Sequence, residues 1–186
     1  MTRFLVVLGL LLLATGVVLY NRLIRSRNRV DTAWSDIDVQ LQRRHDLIPN
    51  LVKAVDQYAR YERATLEAVT ELRAEAMHKT GVEERGEAEQ ELSAGVQRLL
   101  AVAEQYPDLK ANENFLGLQN DLVETENYLQ FARRYYNGSV RDLNTLIEAV
   151  PANIVASLFG FDQRGFFQKY SDDAANVPLV KLGSIE

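Results

Sequence analysis

The chain has 186 residues, enough for one domain with a modest appendage. Hydrophobic residues make up 47% and charged residues 25%, which excludes wholesale disorder. Cysteine is absent, so disulfides, thiolate zinc sites and cysteine nucleophiles are excluded. A net charge of −5 offers no general attraction to nucleic acid, and no such partner is expected.

From Phe4 to Tyr20 the chain carries no charge and is almost wholly apolar. As a helix this run measures about 26 Å, close to a hydrocarbon core of about 30 Å. Leu23 and Ile24 extend it, and Arg22 can snorkel to the interface. No Ala-x-Ala cleavage site follows and no lipidation cysteine exists, so an uncleaved anchor over 4–24 is expected. Arg22, Arg25, Arg27 and Arg29 follow the span, whereas Arg3 and the α-amino group precede it. That bias places the body in the cytoplasm and residues 1–3 outside it. Gly9 and Gly16 share a helix face, seven residues apart, but make no GxxxG motif.

A seven-residue pattern follows from Val30 to Ala76. Position a holds Val30, Ile37, Arg44, Leu51, Tyr58, Thr65 and Leu72; position d holds Trp34, Leu41, Ile48, Val55, Glu62, Val69 and Ala76. The phase persists across Pro49, which predicts one kinked helix from Asn21 to Met77, bent near His45 where the proline removes a carbonyl's donor. Gly81 and Gly86 bracket an expected linker, and a second helix is predicted from Glu87 to about Gln105. The acidic residues near its start suit the helix dipole. Tyr106-Pro107-Asp108 interrupts the pattern before a third helix from Asn112 to Val150. Its apolar phase passes through Asn137-Gly138, arguing against a hairpin there. Pro151 then opens a shorter helix ending near Gly160. No strand-like alternation is present. The fold class is all-α: a transmembrane helix, then a bundle of long antiparallel helices with coiled-coil-like heptad seams over 25–170, and a flexible tail over 171–186.

Chemistry-bearing motifs are scarce. Glu75-Ala-Met-His78 has di-iron spacing, yet the second such pair and the facing carboxylates are missing. His78 reads instead as a helix-end residue. No phosphate loop, nucleophile elbow or zincin motif occurs, so no cofactor and no enzymatic activity are expected. Arg44 at an a position reads as a register device, with a partner or ligand contact as the alternative. Asp108, Asn112 and Asn114 suit helix caps. Phe159, Phe161, Phe166, Phe167 and Tyr170 would plug one end of the bundle, or form a patch facing lipid or a partner.

The stretch from Ala33 through Trp34, Asp38, Arg43, Arg44, Asp46, Pro49 and Asn50 to Val52 resembles the signature of the LemA family of bacterial membrane proteins. So does Ala101 to Phe115, containing Pro107, Asp108, Asn112 and Asn114, continuing to Glu126 and Asn127; Ala132, Arg133, Tyr136, Asn137, Asn144 and Pro151 complete the resemblance. It implies a single N-terminal membrane helix bearing a cytosolic helical bundle in the bacterial inner membrane. It supplies no reaction, and some members of the family are linked to building membrane compartments. Anchor and long helices together suggest a scaffold that self-associates or organises other membrane or cytosolic proteins. The alternative is a sensor with a polar pocket near Arg44 and Asp108.

Overall fold

The computed structural model describes residues 1–167. The expected tail over 171–186, and Tyr170, lie outside them. Six helices occur in chain order: α1 (Thr2–Asp56), α2 (Arg63–His78), α3 (Val82–Ala103), α4 (Pro107–Lys110), α5 (Glu113–Glu148) and α6 (Ala152–Phe159). There are no strands among the described residues.

α1 is a single 55-residue helix with Pro49 inside it, about 83 Å long. Its first part is exposed on every side, including Phe4, Leu8 and Leu12, and contains a segment of mean hydropathy 2.3. A methyl added at Gly9 or Gly16 would meet nothing within 4 Å. Thr15 donates its hydroxyl to the Leu11 carbonyl, satisfying the polar group within the helix. From Leu23 onward one stripe is buried: Val30, Ile37, Leu41, Ile48, Leu51 and Val55.

The expectation of one helix as far as Met77 is wrong: helix ends at Asp56 and resumes at Arg63. Tight turns close from Val55 to Tyr58 and from Ala59 to Glu62; Tyr58 is exposed, while Ala59 stays fully buried in the core beside Val55. Glu62, a d position by phase, is the N-cap residue of α2. The heptad phase spans this loop by coincidence of length, so periodicity alone does not reveal the reversal. α2 and α3 then form a hairpin. They approach closely at Gly95, where a Cβ would lie 2.8 Å from the Leu72 side chain. The linker is shorter than expected, since α3 begins at Val82 and includes Gly86.

Three apolar clusters follow along α1. The far cluster joins Ile48, Leu51 and Val55 to Leu66, Val69, Leu92, Leu99, Leu109 and Phe115. The middle cluster joins Val30, Ala33, Ile37 and Leu41 to Leu129, Tyr136, Val140, Leu143 and Phe167. The near cluster joins Leu23 to Ala156 and Phe161, flanked by Tyr20, Ile24, Leu146 and Ile147. Contacts with α5 therefore run in opposite order along α1. α5 continues through Asn137-Gly138, and α6 ends at Gly160, whose φ of 67° is the left-handed conformation glycine favours. The late aromatics divide between two clusters: Phe161 belongs to the near one, Phe167 to the middle one, and Phe159 is exposed.

Candidate functional site

Pro49 organises the polar centre of the molecule. It has no N–H to give the carbonyl four residues back. That carbonyl, of His45, accepts instead from Nε of Arg73 on α2 at 2.7 Å. The His45 ring is buried, and its Nε2 lies 2.6 Å from Oε1 of Glu89 on α3. Arg44, 5% exposed, donates from Nη2 to Ser93 Oγ at 2.7 Å. Its Nη1 lies 3.8 Å from Glu89 Oε2 and 3.5 Å from Glu126 Oε2 on α5. Glu126 in turn faces Arg133 at 3.8 Å. The Ser93 hydroxyl donates to the Glu89 carbonyl, leaving its lone pairs to Arg44. Two adjacent residues of α1 thus tie α2, α3 and α5 together in a low-dielectric interior, where each charge depends on its partners.

A second cluster sits between this centre and the apolar leading run. Arg85 of α3 pairs with Asp38 at 2.7 Å and lies 5.7 Å from the centre of the Trp34 ring. Trp34 also meets Tyr136 and Phe167 at ring separations of 5.5 and 5.7 Å. The chain after α6 is strapped onto α5 by two amide clamps. Asn144 accepts from the Arg164 N–H and donates to its carbonyl, at 2.9 and 3.0 Å. Asn137 does the same with Phe167, at 2.9 and 3.1 Å. Between them the Tyr136 hydroxyl donates to the Gly165 carbonyl at 2.9 Å. Burial pushes the Tyr136 phenol above its ordinary value; Arg164 opposes the shift and Asp31 adds to it.

The other residues singled out by sequence are dispersed. Arg43 pairs with Glu124 at 2.9 Å on the surface. Asp46 accepts from Gln42 at 2.8 Å. Asn50 and Asn127 are exposed. Pro107 opens α4, with Asp108 in its first turn. Asn112 caps α5, accepting from the N–H groups of Asn114 and Phe115. The structure brings Arg44 to Glu126 and Trp34 to within reach of the Asp38 pair, while Asp108 is not among the partners of Arg44. The Tyr20 ring meets that of Phe159 at a tilt and that of Phe161 nearly edge-on.

Glu89, Ser93 and Arg73 escape a reading of the sequence. Glu89 hides among Glu83, Glu84, Glu87 and Glu91, all attributable to the helix dipole. Its signal is positional: three residues before Leu92, it continues the buried stripe of Leu92, Val96 and Leu99. His78 lies in the last turn of α2, and Glu75 pairs with Lys79 at 3.4 Å. Among the described residues no group of three or more acidic, histidine or cysteine side chains could hold a metal ion.

Over the described residues these features define an all-helical protein with one helix long and apolar enough to cross a membrane, its bundle locked by a buried ionic centre. The chain belongs to the LemA family, whose sequence model matches residues 33–182. It is 25% identical to magnetosome protein MamQ 2 of Paramagnetospirillum magneticum, with 90% of this chain and 71% of that protein covered. It is 23% identical to magnetosome protein MamQ of Magnetospirillum gryphiswaldense over the same shares. Protein LemA of Metamycoplasma hominis is 24% identical, covering 87% of this chain and 74% of that protein.

Proposed function

We propose that this chain is a single-pass, non-enzymatic membrane protein whose helical body, on the cytoplasmic face, self-associates as a scaffold. The observation carrying this reading is an exposed apolar strip along α1 and α5. Val39, Tyr128, Phe131 and Tyr135 are 63, 50, 63 and 54% exposed, and they border a shallow groove of about 350 Å³ with Asp36, Gln40 and Ala132. Isolated apolar side chains on a surface are ordinary; three exposed aromatic rings in a row on α5, beside Val39 of α1, mark an interaction face.

Several observations support the rest of the reading. α1 carries the candidate span and the spine of the bundle in one helix, so the body cannot reorient freely about a linker. Four arginines follow the span, favouring a cytoplasmic body. The buried heptad positions of α1 and α5, meeting in opposite order, suit an antiparallel coiled-coil-like seam. The guanidinium of Arg44 is engaged by Ser93, Glu89 and Glu126, which speaks for an internal lock over an anion-binding pocket. Membership of the LemA family and likeness to the MamQ proteins fit a membrane-associated, non-enzymatic protein.

Sedimentation of the full chain in nonionic detergent tests the proposal. The wild-type chain is expected to form dimers or larger species as concentration rises, and Phe131→Ser with Tyr135→Ser to shift it to monomers with helical content unchanged. A wild-type chain that remains monomeric at high concentration would overturn self-association.

A further inference from the structure

The strip on α5 leaves a second apolar surface unexplained, at the end of the body nearest the apolar leading run. From Ala149 to Phe161 no residue is charged. Within this stretch Val150, Ile154, Leu158 and Phe159 are 80, 66, 76 and 58% exposed. α6 turns only Ala152 and Ala156 fully inward, with Val155 partly buried. Its outer side is therefore more apolar than its inner one, the reverse of what a surface helix in water requires.

The place of this helix decides what covers it. Ala156 shares a cluster with Leu23, Tyr20 and Ile24, the residues of α1 that directly follow the exposed apolar run. The Phe159 ring lies 4.8 Å from that of Tyr20, and Phe161 lies 5.9 Å from it. Phe159 thus sits level with the last turn of the span, the depth at which aromatic rings collect in bilayers. Arg27 lies over Phe161 at 5.4 Å, and Arg22 and Arg25 are exposed nearby, suiting a phosphate headgroup layer. α5 returns along α1 to this same level, through Leu146 and Ile147.

We propose that α6 is a second membrane-contacting element: a short interfacial helix that inserts Ile154, Leu158 and Phe159 at the headgroup–acyl boundary beside the exit of α1. Two contacts with the bilayer fix the tilt of the rigid unit and its rotation about the α1 axis, so that its far end projects at a set angle; a single span would leave both to vary. The inference rests on α1 being a membrane anchor, and the experiment separates the two.

The native absence of cysteine allows single nitroxide labels in the full chain, reconstituted in vesicles of phosphatidylglycerol and phosphatidylethanolamine. Labels go at Leu11→Cys in the span, Ile154→Cys and Leu158→Cys on α6, and Tyr61→Cys, 98% exposed at the far end. Collision with oxygen, which concentrates in lipid, is compared with collision with a water-soluble nickel chelate. The expected oxygen-to-nickel ratio is highest at position 11, severalfold above the position-61 reference at 154 and 158, and lowest at 61. A lipid-like ratio at 11 with a water-like ratio at 154 and 158 would overturn the interfacial helix and leave the anchor standing. A water-like ratio at 11 would overturn the anchor, and the inference with it. Shielding from both reagents at 154 and 158 would mean that protein covers α6, and would also overturn the inference.

Discussion

Replacing Glu89 by alanine probes the buried centre directly. The carboxylate is 1% exposed, takes the His45 ring at 2.6 Å and balances Arg44 at 3.8 Å. Its removal strands the polar edge of His45, costing about 1–3 kcal/mol for a buried unpaired group. It also strips Arg44 of its fully buried counter-charge. Glu126, 36% exposed at its side chain and 3.5 Å away, compensates in part. Breaking a buried pair on one side generally costs about 3–5 kcal/mol. For a chain of this size that corresponds to a fall in Tm of about 6–20 °C. Glu89→Gln keeps an acceptor for His45 and loses only the charge, so a loss of about 1–3 kcal/mol is expected. Thermal unfolding of the full chain in detergent, followed by circular dichroism, measures both. The cycle adding Arg44→Met to Glu89→Gln should be non-additive by about 1 kcal/mol or more, because the two groups face each other. Additivity within about 0.5 kcal/mol, or a Glu89→Ala chain as stable as wild type, would refute the reasoning.

Other outcomes follow from the same geometry. Arg43→Ala, one residue from Arg44, breaks an ion pair whose members are 43 and 50% exposed; its loss is expected to stay within about 1 kcal/mol in the same melt. Phe167→Ala empties a fully buried site against Trp34 and should cost about 3–5 kcal/mol. Asn137→Ala with Asn144→Ala removes both amide clamps, so hydrogen exchange at the Arg164 and Phe167 amides should accelerate while α5 amides stay protected. The Tyr136 phenol, raised above 10.0 by burial, holds its proton more tightly in the folded chain. Its contribution is complete below about pH 10, where the unfolded chain still keeps the proton, and is lost as pH rises through the higher folded value. Denaturant midpoints across that range should fall less steeply in Tyr136→Phe, which also gives up about 0.5–1.5 kcal/mol with the Gly165 hydrogen bond.

The helical class, the apolar leading run and the boundaries of α5 and α6 can be read from residue order, because capping and stop signals there are local: Asn112 before a helix, Pro151 and Gly160 around a short one. The break after Asp56 cannot, since nothing between Gln57 and Glu62 is a glycine or proline and the seven-residue phase survives the loop. The polar centre is half legible. Arg44 stands out as a charge at a buried position, and Pro49 announces a carbonyl without a donor at His45. Which groups answer them is settled only when α2 and α3 fold back, setting Arg73 and Glu89 beside residues 28 and 44 positions away. Asn137 and Asn144 show the same limit: a family resemblance marks them, but their clamping of a strap 30 and 20 residues on is a property of the folded chain.

Photocrosslinking in intact membranes tests the central claim most directly. With benzoylphenylalanine in place of Phe131, irradiation of the membrane pellet should yield a product of twice the chain's mass, with the crosslink mapping to α1 or α5 of a second copy. Recovery of the chain in the salt-washed soluble fraction, or a pellet that gives only unlinked monomer, would contradict the account of a membrane-tethered, self-associating helical scaffold.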